Sequence, residues 1–213
     1  MRGQLLNLNP LVAVYDDVFD ASIATAAIKA GEKNLQAAAY GTEDGIVVDG
    51  EKRTNLQATV DQWAVPEMTD LVSRLSSIVR LPPENSEVAK LLKYEGEQYF
   101  DVHVDGFQDI PTYSDELAKG GQRLFTTLCY LSDVEGEGQT AFPNLKIAVK
   151  PKLGRVLVFS NTIPGQNVPH PDSTHAGFSA SAGLRWVLSV WWRERNYHNP
   201  RSFPTVEGDY AQF

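Results

Sequence analysis

Cysteine is nearly absent: Cys129 is the only one in 213 residues. No disulfide can close within the chain, and no cysteine-based zinc cage can be built. Basic residues are outnumbered, 19 Lys and Arg against 27 Asp and Glu, so the net charge is −8. No Lys/Arg-rich run occurs, and a nucleic-acid partner, which requires a basic face to displace counterions, is not expected. No apolar stretch approaches the roughly 20 residues of a membrane span. The first fifteen residues are interrupted by Asn7, Asn9 and Pro10. They lack the basic head and unbroken apolar run of a signal peptide, so a reducing, cytoplasmic compartment is expected.

What is present is ordinary globular material, 42% hydrophobic and 22% charged. At this length a chain buries roughly 70% of the surface it exposes when unfolded, enough for a core without staples. There is no repeat, low-complexity tract or linker, so one domain is expected. The first third, to about residue 87, reads as helical support. Asp20 can cap a helix through Ile23, Ala26, Ala27 and Ile28. From Pro66 to Leu81 the apolar residues Met68, Leu71, Val72, Leu75, Ile78 and Val79 form one stripe, stopped by Pro82-Pro83.

From residue 88 the period changes to two. Strands are expected at 88–94, 99–104, 123–131, 146–149, 156–160 and 184–193, with Gly and Pro turns between them. Many strands after a helical segment indicate a mainly β (α+β) jelly roll buttressed by N-terminal helices. The β core runs to about residue 195, and residues 196–213 form a polar tail.

Four histidines make the search for chemistry short. His103 and Asp105 are two apart, and in an extended chain they share a face about 6.5–7 Å along the strand. The pair by itself reads equally as a strand-end histidine beside a solvated carboxylate. His170 lies between two prolines in a loop-shaping context, and His198 falls in the tail. His175 precedes Ala176-Gly177, small residues that let the backbone turn beside a metal. His103, Asp105 and His175 are therefore the candidate ligands, and two histidines with one carboxylate match the facial triad of non-haem Fe(II) oxygenases. Arg185 follows His175 by ten residues in a strand apolar on both faces. A guanidinium there needs a partner, either a bound dicarboxylate or a structural Asp or Glu.

These residues resemble a known family. Tyr94-Glu95-Gly96-Glu97-Gln98-Tyr99-Phe100-Asp101-Val102-His103-Val104-Asp105 resembles the first iron motif of the prolyl 4-hydroxylases. Gly120-Gly121-Gln122-Arg123 leading into Tyr130-Leu131-Ser132-Asp133 is similar to their next strand, and Thr140-Ala141-Phe142-Pro143 to the following turn. His175-Ala176-Gly177 with Arg185-Trp186 resembles the second iron motif. Arg53-Thr54-Asn55 and residues 81–85 extend the likeness to residues 10–195.

The resemblance implies a double-stranded β-helix that uses Fe(II), 2-oxoglutarate and dioxygen; a dependence on ascorbate is inferred from kinship alone. The products would be a hydroxylated substrate, succinate and carbon dioxide. It places His103, Asp105 and His175 on the iron and Arg185 on the far carboxylate of 2-oxoglutarate. It places Tyr94, Tyr130, Thr140 and Trp191 around that co-substrate, and Arg123 and Tyr99 toward the substrate. The procollagen-type enzymes carry Lys where this chain has Arg185, whereas the oxygen-sensing ones carry Arg. A family tyrosine falls on Phe100.

Peptidyl proline is the leading substrate, with a free amino acid or other small molecule as the alternative. The segments 107–119 and 162–172 are expected to act as lids. Two rival classes use the same triad: a non-oxidative zinc or manganese jelly-roll enzyme, and a binding module with a vestigial site.

Overall fold

Alternating apolar residues in the C-terminal half build a two-sheet sandwich. The computed structural model describes residues 2–42, 45–48, 50–178 and 183–197. The chain begins with a hairpin of β1 (Arg2–Leu8) and β2 (Leu11–Asp16), followed by α1 (Ala21–Gly31). Next come β3 (Gln36–Ala37), β4 (Tyr40–Thr42), β5 (Gly45–Val47), β6 (Leu56–Val60) and α2 (Pro66–Val79). Then follow β7 (Ala89–Glu95), β8 (Phe100–His103), α3 (Ser114–Gly120), β9 (Arg123–Tyr130) and β10 (Thr140–Phe142). The series ends with β11 (Ile147–Val149), β12 (Val156–Ser160), β13 (His175–Gly177) and β14 (Leu184–Arg193).

The major sheet has the order β1-β2-β12-β9-β14-β7-β6-β3, and the minor sheet the order β11-β10-β13-β8. Every pairing within them is antiparallel. This is the jelly roll expected from the sequence, with α1 and α2 packed on the outer face of the major sheet. Asp20 caps α1 as foreseen, accepting from the backbone N–H of Ser22 at 2.9 Å and of Ile23 at 3.3 Å. Helix α2 buries Met68, Leu71, Val72, Leu75 and Val79. It ends at Val79, two residues before the expected limit, because Arg80 turns left-handed at φ 58°.

The helical reading of the first third needs correction. Besides α1 and α2, that region contains six strands, and four of them (β1, β2, β3 and β6) belong to the major sheet. Asn9 and Pro10 are the turn of a hairpin in which Leu8 faces Leu11, and turn formers of this type suit that position. The N-terminal segment thus supplies part of the sheet as well as the helices behind it. Strands β10 and β13 stand where the sequence reads as a turn and a loop, Pro143 following the first and Ala176-Gly177 ending the second. Of the tail, Tyr197 donates its backbone N–H to Glu84 at 2.9 Å. His198 lies outside the described residues.

Two cores result. One lies between the major sheet and the helices and contains Leu91, Cys129, Leu188, Val190 and Trp192. The other lies between the sheets and contains Tyr94, Tyr130, Phe142, Phe159 and Val187. Among the described residues no helix is long and apolar enough to cross a membrane.

Candidate metal centre and co-substrate pocket

Strand pairing between β8 and β13 sets His103 directly opposite His175. Strand β8 ends at His103, so Asp105 lies just beyond the extended segment rather than on it. The three side chains still converge. His103 Nε2 is 3.7 Å from Asp105 Oδ1, and His175 Nε2 is 3.7 Å from Asp105 Oδ2. One potential ligand atom from each residue lies within 4.8 Å of the others.

Each ring is held from behind. His103 Nδ1 meets the Asp101 carbonyl at 2.7 Å, and His175 Nδ1 meets the Ser173 carbonyl at 2.9 Å. A carbonyl only accepts, so each Nδ1 carries a hydrogen and each Nε2 is the ring atom turned toward Asp105. Phe100 stacks on His103 with ring centres 3.5 Å apart, which fixes the ring plane.

The charge states suit a cation. Burial, followed by the neighbouring His175, pulls His103 down to about 3, so its imidazole is neutral at pH 7. Burial alone would raise the Asp105 carboxyl. His175, His103 and Arg123, with the Thr126 hydrogen bond, outweigh it and hold that carboxyl down to about 2. A neutral imidazole and an ionised carboxylate are the forms that bind a metal.

The triad opens into a cleft between the sheets. Its floor is the inward face of β14, which presents Arg185, Val187, Ser189 and Trp191. Leu92 and Leu128 make the walls apolar. Arg185 is 2% exposed, and its guanidinium lies 4.5 Å from the Tyr94 ring centre. It donates to Thr140 Oγ1 at 2.8 Å and to the Phe178 carbonyl at 3.2 Å. Tyr130 also donates to Thr140 Oγ1, at 2.9 Å. Burial pushes the Tyr130 phenol up, so it stays a donor. With Thr140 Oγ1 accepting twice, its own hydrogen is left to donate.

No carboxylate reaches Arg185 among the described residues, so a structural salt bridge finds no partner there. Arg185 Nε, Ser189 Oγ and Trp191 Nε1 are all buried and lack hydrogen-bond partners there. Three orphaned donors along one strand face are costly in a closed protein. They fit a ligand rich in acceptor oxygens. Gly177 leaves room for it: a Cβ there would come within 3.2 Å of Arg185 Nη1 and 3.3 Å of Tyr94 Oη. Its small size therefore serves the arginine pocket, in a strand rather than in the expected turn.

The structure thus brings His103, Asp105, His175, Tyr94, Thr140, Arg185 and Trp191 to one cleft, with Tyr130 bonded to Thr140 behind it. Arg123 stands at the side. Glu87 grips it, with contacts of 2.6 Å to Nε and 2.8 Å to Nη2, and its guanidinium lies 4.1 Å from the Trp191 ring centre. Tyr99 is not among the cleft residues; its hydroxyl donates to the Glu51 carbonyl at 2.6 Å. His170 shapes its loop as expected, accepting the Asp172 N–H at 3.1 Å.

Sequence reasoning missed Ser189, Thr126, Asn161 and Glu87. A small polar residue in an apolar strand was the available signal for Ser189. Arg53, which the sequence likeness touched without assigning a role, also lines the cleft. It stacks 4.2 Å from the Phe100 ring centre.

Two histidines and a carboxylate beside an arginine-floored cleft in a jelly roll define the site class of the non-haem iron oxygenases that use a keto acid. Comparison with known proteins agrees. Residues 89–193 match the 2OG-Fe(II) oxygenase superfamily model. The chain is 31% identical to prolyl 4-hydroxylase 2 of Arabidopsis thaliana, covering 77% of this chain and 60% of that protein. It is 32% identical to prolyl 4-hydroxylase 1 of the same plant, covering 72% of this chain and 57% of that one. In fold it is similar to the viral collagen prolyl hydroxylase of Paramecium bursaria Chlorella virus-1, solved with 2OG. That match has a TM-score of 0.63 at 23% identity, covering 85% of this chain and 95% of the other.

The chain belongs to the prolyl 4-hydroxylase family of the 2OG-Fe(II) oxygenase superfamily. It spans between 60% and 65% of the length of the first curated relatives it matches.

Proposed function

We propose that the protein is an Fe(II)/2-oxoglutarate-dependent dioxygenase of one domain that hydroxylates a prolyl residue in a peptide. The observation that carries this reading is Arg185, buried in the cleft that holds the triad with no carboxylate partner among the described residues. His103, Asp105 and His175 would hold the iron. Arg185 and Thr140, backed by Tyr130, would hold the far carboxylate of 2-oxoglutarate. Together with dioxygen, metal and keto acid supply the oxidising power that turns a C–H bond into an alcohol, with succinate and carbon dioxide released.

The chain's own part is positioning and exclusion of water. Leu92, Leu128 and Val187 keep the cleft dry, which strengthens the charge contacts inside it. Trp191 covers the floor, and Arg123 is placed by Glu87 where an incoming substrate could meet it. A substrate contact for Tyr99 would lie outside the cleft. Ascorbate would act as the reductant that keeps the iron ferrous.

Peptidyl proline is supported by the names of the curated relatives. It is also supported by a similar fold, a Trichoplax adhaerens prolyl hydroxylase solved with a hypoxia inducible factor peptide, which has a TM-score of 0.61.

The test is anaerobic addition of Fe(II) and 2-oxoglutarate to metal-free protein, followed by the visible charge-transfer band of a chelated keto acid. The band should form in the wild type. In Arg185→Ala it should require about 100-fold more 2-oxoglutarate, the worth of a bidentate charged contact. Aerobic incubation with proline-containing peptides, with and without ascorbate, should add one oxygen atom to the peptide by mass. Iron bound without a band would overturn the keto-acid reading and favour a non-oxidative metal enzyme.

A further inference from the structure

Asp105 is held by a relay that neither its motif nor strand β8 supplies. Thr126 Oγ1 donates to Asp105 Oδ2 at 2.6 Å. Asn161 Nδ2 in turn donates to Thr126 Oγ1 at 2.9 Å. Thr126 and Asn161 are both fully buried. They come from distant parts of the chain: Thr126 from the inward face of β9, Asn161 from the residue after β12.

The relay has a direction. An amide Nδ2 only donates, so it occupies a lone pair of the Thr126 oxygen, and the hydroxyl hydrogen goes to the carboxylate at 2.6 Å rather than to Asn161 Oδ1 at 3.4 Å. The hydroxyl therefore fills one lone pair of Oδ2, which lies 3.7 Å from His175 Nε2, while Oδ1 lies 3.7 Å from His103 Nε2 without that hydrogen bond. Asn161 also touches the segment that carries the other histidine. Its carbonyl accepts the His170 N–H at 2.8 Å, the His170 carbonyl accepts the Ser173 N–H at 3.0 Å, and the Ser173 carbonyl orients His175. One buried asparagine thus ties together the placements of Asp105 and His175.

We propose that Thr126 and Asn161 are positioning residues that hold the Asp105 carboxylate to the metal through a single oxygen. A carboxylate free to rotate can chelate through both oxygens and so take one more position on the ion. In a site that must also receive a keto acid and dioxygen, that position is needed. The inference rests on the metal centre proposed above and adds to it the group that enforces the binding mode.

Co(II), whose visible absorption reports coordination number, is the probe. It is titrated into metal-free wild type and into Thr126→Val, Thr126→Ser and Asn161→Ala, with thermal melts of each metal-free variant. Thr126→Val keeps the shape and removes the hydroxyl. It should bind Co(II) about 10–100-fold more weakly, the usual cost of losing an outer partner of a ligand. Its Co(II) absorption should also fall in intensity as a further oxygen joins the ion.

Thr126→Ser should restore both affinity and spectrum. Asn161→Ala keeps the hydroxyl but frees its direction, and should weaken binding by a few-fold; it carries the test if Thr126→Val does not fold. Wild-type affinity and spectrum in Thr126→Val would overturn the proposal while leaving the metal centre standing. If the wild type bound no Co(II), both would fall.

Discussion

Strand β14 has two faces with opposite characters. Outward, Leu188, Val190 and Trp192 pack against the helices in an apolar core. Even the indole nitrogen of Trp192 is satisfied there, donating to Thr127 Oγ1 at 3.1 Å. Inward, Arg185, Ser189 and Trp191 are just as buried, yet each carries a polar atom without a partner among the described residues. A strand whose residues alternate sides can therefore be scaffold on one side and recognition surface on the other. Burial alone does not separate them; unspent hydrogen-bonding capacity does.

Removing a ligand is the sharpest attack on the inward face. Asp105→Ala should bind metal more weakly than the roughly 100-fold loss expected for an outer partner, and titration of metal-free protein should read this directly. The thermal midpoint of the metal-free form should change far less. A variant that loses its fold instead would show that the triad is scaffold.

The two faces meet at the end of β14, where Glu87 binds Arg123 and the fully buried Arg193, the latter at 2.8 Å. Glu87→Gln takes the carboxylate from Arg123 and leaves Arg193 only Glu116, at 3.1 Å, and should cost about 3–5 kcal/mol in urea unfolding at pH 7. Burial would raise the Glu87 carboxyl, but Arg123 and Arg193 prevail and hold it below its ordinary 4.5. Its stabilisation is therefore complete above pH 4.5 and is lost as pH falls below it. Wild type and variant should converge in acid; a constant gap down to pH 3 would rule the charge pair out as the cause.

On the outward face, Leu188→Ala should lower stability by about 2–5 kcal/mol through the cavity it leaves. Co(II) affinity of the folded fraction should be unchanged. The smallest effect is expected one residue on. Ser189→Ala deletes a hydroxyl that has no partner among the described residues, so the metal-free protein should hold its midpoint or gain up to about 1 kcal/mol. A clear loss of stability there would mean that the hydroxyl is already paired, and the contrast between the faces would weaken.

Legibility followed the length of each signal. Strand β14 and helix α2 were readable because ten and fourteen residues display a period. Strands β10 and β13 have three residues each; β11 is equally short but was readable from Ile147 and Val149, whereas Pro143 and Gly177 mark the other two as turns. The β1–β2 hairpin was obscured by its own turn, since Asn9 and Pro10 read as an interruption. Arg185 stood out as a charge in an apolar strand. Thr126, in a run of Thr, Leu and Cys, looked like any other strand residue, and its bond to Asp105 spans 21 positions.

The sequence by itself determined the helix stripe, most of the β core, the triad and the arginine, because each is a local pattern or a motif with fixed spacing. Only the tertiary structure decided which polar atoms find partners. Glu87 spends itself on two arginines, Asn161 orients Thr126, and Arg185, Ser189 and Trp191 keep donors in reserve. Pairing depends on side chains brought together from distant parts of the chain, and no local pattern encodes that distance.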